Sequence, residues 1–189
     1  MTNKYISFFD IIISLSIIII FFPIIILISI LILFFDGLPI IFNQVRIGHN
    51  GKKFEIYKFK TMKNYSIKNE KLRLTKLGII LRRLSLDEIP QFINVLNNDM
   101  SIVGPRPLPE KNEKKIKKKF RMIRRKVLPG ITGLSQINYK GKYRKINDKV
   151  KLDIKYVKHY TFYNYLKIIA KTPIVLIIRL LKNKSSIIK

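Results

Sequence analysis

The chain has 189 residues, no cysteine and a formal net charge of +27. That length allows one modest domain with an appendage; the lack of cysteine excludes disulfide frameworks, zinc fingers, iron–sulfur sites and thiol nucleophiles, and the 48% apolar fraction excludes wholesale disorder. Residues 1–35 hold one Lys and one Asp, so the whole charge excess lies in the other 154 residues, which suits anionic partners: nucleic acid, anionic lipid or a phosphorylated substrate.

Between Asp10 and Asp36 run 25 residues, Ile11 to Phe35, without a charge. A straight helix of that length measures about 37 Å and exceeds a hydrocarbon core of ~30 Å. The run is too long for a signal peptide and no small-residue cleavage site follows it. The basic residues after it place the body in the cytoplasm by the positive-inside rule. Pro23, near the midpoint, removes a backbone donor and opposes the carbonyl of Ile19, which predicts a bend or break. Two readings stand: a kinked spanning helix, or a re-entrant helix that enters and leaves on one face.

Val45 to Phe59 predicts a β-hairpin turning at Asn50-Gly51. From Leu72 to Leu84, apolar residues at 74, 77, 80, 81 and 84 predict a helix. Ser85 with Glu88 three residues on matches a capping box, opening a second helix through Gln91–Leu96. Gly104-Pro-Arg-Pro107 is a stiff loop presenting the Arg106 guanidinium. Residues 111–126 hold ten Lys/Arg and one Glu; such a run reads as a lipid-facing stripe, a nucleic-acid contact or a solvated helix face. Pro129-Gly-Ile-Thr-Gly133 is a turn, and Phe162 to Leu181, interrupted by Pro173, predicts one or two interfacial amphipathic helices.

Asp87-Glu88 is the one adjacent acid pair in the chain. At a helix start the dipole favours ionised carboxylates, which can act as nucleophile, metal ligand or plain cap. Arg106 between two prolines suits a phosphate or carboxylate clamp, or an ordinary surface turn. Lys58, Lys60, Arg82, Arg83 and Arg106 can converge on a diphosphate. His49 and His159 have no metal-ligand spacing, and no Walker loop, dinucleotide fingerprint or nucleophile elbow is present.

Tyr57-Lys-Phe-Lys-Thr-Met62, Arg82-Arg-Leu-Ser-Leu-Asp-Glu88, Asn94-Val-Leu96 and Asp99-Met-Ser-Ile-Val-Gly-Pro-Arg-Pro107 together resemble the bacterial sugar transferases. These are the monotopic polyprenol-phosphate phosphoglycosyl transferases. Pro129–Gly133 with Gln136, and Leu152-Asp-Ile-Lys-Tyr-Val157, extend the match, which runs in order from about Phe9 to Leu181. The resemblance implies an α+β, mostly helical protein with a re-entrant membrane helix over residues 1–36, broken at Pro23. A cytosolic catalytic domain over 37–189 would carry the interfacial C-terminal helices.

It implies transfer of a phosphosugar from a UDP-sugar to undecaprenyl or another polyprenol phosphate, with release of UMP. Asp87 would be the nucleophile, forming an aspartyl-phosphosugar; Glu88, the second catalytic residue, would help Asp87 hold Mg²⁺ or would orient it. Lys60, Arg82, Arg106 and Gln136 would bind substrate phosphate. The expected partners are the UDP-sugar, the lipid acceptor, membrane lipids and downstream glycosyltransferases, without nucleic acid; the expected place is the cytoplasmic face of the inner membrane. The contrasting expectation is a non-catalytic, membrane-anchored basic protein that binds nucleic acid or anionic lipid. Phe22 stands where the family commonly has Ser before the proline. Leu128 stands where it has Arg, and Asn138-Tyr-Lys-Gly141 replaces an Asn-Gly-Arg-like stretch. In length the chain resembles the family's small, minimal members.

Overall fold

A computed structural model describes residues 3–63, 73–138 and 146–182. Helix α1 (Lys4–Asp36) starts at Asn3, whose side chain accepts from the Tyr5 and Ile6 amides. Strands β1 (Ile41–Ile47) and β2 (Lys53–Phe59) form an antiparallel hairpin. Helices α2 (Lys76–Leu84) and α3 (Gln91–Leu96) follow, joined by a 3₁₀ turn at Leu86–Glu88. Strand β3 (Ser101–Val103) pairs in parallel with β4 (Gly130–Thr132). Between them lie α4 (Glu110–Glu113) and α5 (Lys118–Arg124). Helices α6 (Leu134–Ile137), α7 (Ile146–Lys158) and α8 (Phe162–Lys182) complete the described chain. The class is α+β, mostly helical.

Helix α1 runs unbroken through Pro23, so the expected break there is not found. At 33 residues it is about 50 Å long. The proline forfeits one ladder bond near its middle, and the turns on either side continue. Its contacts with the body recur every three or four residues. Ile6, Asp10, Ser14, Ile28 and Ile32 are buried, and Ile13, Phe21 and Ile25 are packed against them. That is one helical stripe, and it lies against the same body from end to end. The opposite face, including Ile12, Leu15, Ile19, Phe22 and Ile26, is exposed. A continuous apolar surface of this size marks a contact with another apolar phase, and α1 is long and apolar enough to meet a bilayer.

Two apolar clusters make the core. One contains Ile6, Phe54, Ile56, Ile102, Tyr156 and Tyr165; the other contains Ile28, Ile32, Phe59, Leu81 and Ile89. Both α1 and β2 contribute to each. Asp10, inside the apolar helix, is buried and accepts from the Ile102 amide at 2.9 Å and the Tyr165 hydroxyl at 2.7 Å. These bonds fasten α1 to β3 and α8 and satisfy a carboxylate that could not otherwise be buried.

The hairpin is longer than its sequence signal. Strand β1 begins at Ile41, and the turn spans Gly48–Lys52 with Asn50 and Gly51 at φ of 51° and 83°. Leu72 lies outside the described residues, and Leu74 bridges to Met62 ahead of α2. On α2, Leu81 is buried while Ile80 and Leu84 face outward. Residues 162–182 form one helix through Pro173. The basic run at 111–126 is only partly a charged face. Arg124 is buried, with Nη1 on Glu113 at 2.9 Å and Nε on Asp153 at 3.0 Å.

Backbone meets backbone where β4 passes β3. A Cβ built on Gly130 would lie 1.9 Å from the Gly104 nitrogen, and one on Gly133 would lie 2.2 Å from the Gly104 carbonyl oxygen. No side chain fits there without moving main chain. Overpacking of this kind costs about 1–3 kcal/mol or more. Gly130→Ala is therefore expected to lower the melting temperature by several degrees, measured by thermal unfolding in detergent; an unchanged melting temperature would contradict the close approach.

Candidate active site

The acid pair sits on the 3₁₀ turn between α2 and α3. Ser85 is not the expected N-cap. It adopts the left-handed region, φ 59° and ψ 19°, ends α2, and makes no side-chain capping bond. The chain reverses at this point. Asp87 is thereby buried and Glu88 half-buried on the wall of a cavity, with Ile89 anchored in the second apolar cluster.

Three separate elements bring cations to this turn. Phe54, Ile56 and Lys58 share one face of β2 by strand alternation; the first two enter the core and Lys58 reaches the dyad. Lys58 Nζ lies 2.5 Å from Glu88 Oε1 and 3.9 Å from Asp87 Oδ2. Its position is set by buried Asn94, which accepts from the Tyr57 amide at 3.0 Å and donates to the Glu55 carbonyl at 2.7 Å. Arg106 Nη2 donates to Glu88 Oε1 at 2.6 Å. The Arg106 carbonyl accepts from Arg124 Nη2 at 2.8 Å, which ties the loop to the buried Glu113–Arg124–Asp153 cluster. Arg82, on α2, donates from Nε to Thr61 at 2.9 Å and lines the same cavity.

Electrostatics separates the two acids. Burial raises the Asp87 pKa, and Glu88's charge adds to this against the opposing pull of Lys58, Arg82 and Arg106. Burial also works against the Glu88 charge, but Arg106 and Lys58, through charge and hydrogen bonds, outweigh it and hold that carboxyl down at about 2. Glu88 is thus a fixed anion, while Asp87 carries the more basic carboxylate of the pair.

Two cavities meet here. A polar one of about 620 Å³ is walled by Lys58, Arg82, Asp87, Glu88, Lys149 and Asp153, among others. An apolar one of about 310 Å³ runs between α1, α3 and α8, with Ile13, Ile17, Phe92, Ile169 and Leu176 in its wall. Ser85, Glu88, Arg106, Gln136 and Arg179 line both.

Of the residues expected to bind phosphate, Arg82, Arg106 and Gln136 line this site, and Lys60 does not. Buried Lys60 directs Nζ to the carbonyls of Asp36, Gly37 and Leu38 at 2.7, 3.0 and 3.0 Å. It caps the C-terminus of α1, where orphan carbonyls and the dipole favour a cation. The sequence could not separate Lys58 from Lys60, since both follow the same alternation. Gln136 donates from Nε2 to the Ile131 carbonyl at 2.7 Å. Leu128 lines a different cavity, beside His49 and Asp99. Asn138 donates to the Leu134 carbonyl, and residues 139–141 lie outside the described residues. Arg179 and Lys149 were missed. Arg179 was detectable, because Ile169, Thr172, Leu176 and Arg179 fall on one stripe of α8.

Residues 1–179 match the family described as bacterial sugar transferase. The chain belongs to the bacterial sugar transferase family. It is 42% identical over 146 residues to the "Uncharacterized sugar transferase EpsL" of Bacillus subtilis, covering 72% of this chain and 69% of that one. It is 40% identical over 149 residues to the UDP-glucose:undecaprenyl-phosphate glucose-1-phosphate transferase of Escherichia coli, covering 71% of this chain and 32% of that one. It is 34% identical over 147 residues to the UDP-N-acetylgalactosamine-undecaprenyl-phosphate N-acetylgalactosaminephosphotransferase of Aeromonas hydrophila, covering 71% and 34%. The chain thus spans about a third of the length of the latter two. The acid pair, the Arg106 loop and Gln136, on which the sequence resemblance rested, are neighbours in the fold of this sugar transferase.

Lys60→Met leaves the Asp36, Gly37 and Leu38 carbonyls at the end of α1 without this donor and is expected to cost about 1–3 kcal/mol of stability. Thermal unfolding measures that loss; a variant as stable as the wild type would contradict the cap. A reaction needing ionised Asp87 should have its acid limb above the ordinary aspartate range, because the folded pKa is raised. Removing the Lys58 cation should move that limb to still higher pH in a pH–rate profile of Lys58→Gln. A limb that stays put or falls would contradict the coupling.

Proposed function

We propose that this chain transfers a phosphosugar from a nucleoside-diphosphate sugar, most simply a UDP-sugar, to a polyprenol phosphate held at the cytoplasmic face of the inner membrane. The observation that carries this reading is the pair of joined cavities. A cation-lined polar cavity with a carboxylate dyad suits a diphosphate, and an apolar cavity reaching α1 suits an isoprenyl chain. Both open onto Glu88 and Arg106. The relatives' names describe such donors and undecaprenyl-phosphate acceptors.

In the first step an Asp87 carboxylate oxygen attacks the sugar-proximal phosphorus. The bond from that phosphorus to the bridging oxygen breaks, and UMP departs with the electron pair. In the second step an oxygen of the lipid phosphate attacks the same phosphorus. The Asp87–phosphorus bond breaks, the carboxylate returns, and the product is a polyprenol-diphosphate sugar. Lys58, Arg82 and Arg106 offset the charge that develops on the transferring and leaving groups. Burial of Asp87 makes its carboxylate more basic and strips it of water, which suits a nucleophile.

The dyad also fits Mg²⁺. No group of three metal-binding side chains occurs among the described residues, but Mg²⁺ commonly takes one or two carboxylates and completes its shell with substrate phosphate and water. Asp87 and Glu88 would hold it, and it would neutralise diphosphate charge. Helix α1 packs on the body at both ends, which favours its lying against one face of the bilayer; both termini would then be on the cytoplasmic side.

The test is UMP release from a panel of UDP-sugars by detergent-held protein with Mg²⁺ and undecaprenyl phosphate. Asp87→Asn is expected to lose at least ~10³-fold in turnover, on the scale seen for removal of a catalytic nucleophile, while staying membrane-bound. Near-normal turnover in that variant would remove Asp87 as nucleophile. A wild-type protein that releases no UMP from any donor would overturn the reaction.

A further inference from the structure

We propose that the Ser85 hydroxyl donates a hydrogen bond to a phosphate oxygen held where the two cavities meet, an assignment that rests on the function proposed above. Ser85, Glu88, Arg106, Gln136 and Arg179 line both cavities. Four of these side chains are engaged by the protein. Arg106 and Glu88 hold each other, Gln136 Nε2 donates to the Ile131 carbonyl, and Arg179 Nη2 donates to the Gln136 carbonyl. Ser85 uses its backbone fully: its N–H donates to the Arg82 carbonyl at 3.2 Å, and its carbonyl accepts from the Glu88 amide at 3.3 Å. Its hydroxyl makes no hydrogen bond among the described residues. Ser85 is half-buried, and a hydroxyl that the protein leaves without a partner in a cavity wall is available to a ligand.

Backbone conformation points the same way. Ser85 stands in the left-handed region at φ 59° and ψ 19°, where a Cβ is unfavourable and glycine is the least strained residue. A capping role would explain a serine beside a helix start, but this side chain makes no capping bond. What serine adds over glycine at this position is therefore the hydroxyl. Strain of this kind persists where the residue serves a site. The group that meets the hydroxyl must sit between Arg82 and Arg106, beside the dyad, where an apolar wall gives way to a polar one. A phosphate oxygen suits all three conditions: it accepts, it is attracted by the arginines, and its charge strengthens a bond from a neutral hydroxyl. In the proposed reaction two phosphates reach this junction, that of the lipid acceptor and the one being transferred.

The test is binding rather than turnover, so it does not depend on knowing the sugar. Purified protein in detergent micelles is titrated with undecaprenyl phosphate against undecaprenol, and with UDP against uridine, so that each pair isolates the phosphate. Ser85→Gly removes the hydroxyl and relieves the backbone, and is expected to melt no lower than the wild type. It should lose about tenfold in affinity for one or both phosphate ligands, the effect of one hydrogen bond to a charged group, and keep its affinity for the phosphate-free partner. Loss on the lipid phosphate assigns the hydroxyl to the acceptor; loss on UDP assigns it to the donor. Ser85→Ala, which keeps a Cβ in the strained position, should show the same loss. Unchanged affinity for both phosphates overturns the assignment. So does a loss shared by undecaprenol or uridine, or one confined to a single variant, since each marks a backbone effect. A wild type with no phosphate preference in either pair also overturns it. Failure of wild-type UMP release, by contrast, counts against the proposed reaction, and these titrations still decide Ser85.

Discussion

Glu88 is a half-buried carboxylate whose Oε1 is held by two cations from separate elements. Lys58 comes from the hairpin and Arg106 from the loop after β3. Burying such a charge is unfavourable unless it is paired and hydrogen-bonded, so the fold must deliver both partners. Much of the body can be read as the means of doing so. Asn94 fixes β2 against α3; Arg124 holds the Arg106 carbonyl; the glycine contacts at 104, 130 and 133 let two backbone loops touch.

This arrangement gives two adjacent acids different chemistry. Glu88 takes the short contacts and stays ionised. Asp87, one residue earlier, lies 3.9 Å from Lys58 and retains a raised pKa, burial being the largest cause. The turn geometry creates this division. A regular helix start would have spent both carboxylates on capping, whereas left-handed Ser85 ends one helix and swings the pair onto a cavity wall. Such a non-glycine residue in the left-handed region costs on the order of 1 kcal/mol and is tolerated where the surroundings enforce it.

Membrane helix and catalytic body form one packed unit. Asp10 reaches Ile102 and Tyr165, Lys60 caps the far end of α1, and one stripe of α1 faces the body throughout. The same helix therefore offers lipid one face and supplies Ile13 and Ile17 to the apolar cavity. On the proposed reaction, an acceptor tail in that cavity would bring its phosphate beside Glu88 and Arg106, which line both cavities.

The sequence by itself determined the apolar first helix, the hairpin around Asn50-Gly51, the acid pair and the Arg106 loop. Each is written in local pattern: an uncharged run, turn chemistry, adjacent acids, a residue clamped by prolines. It also carried the family, through short motifs in fixed order. Only the tertiary structure decided which lysine of Tyr57-Lys-Phe-Lys60 serves the site. Alternation puts both on one face, but β2 ends at Phe59, so Lys60 meets the end of α1 while Lys58 meets Glu88. Only packing showed that the proline leaves α1 continuous, that Arg124 is a buried strut, and that Arg179 joins a site 92 residues from Asp87 in sequence. Long-range placement of a charge depends on which surfaces are buried together, and that is not encoded in the spacing of any one segment.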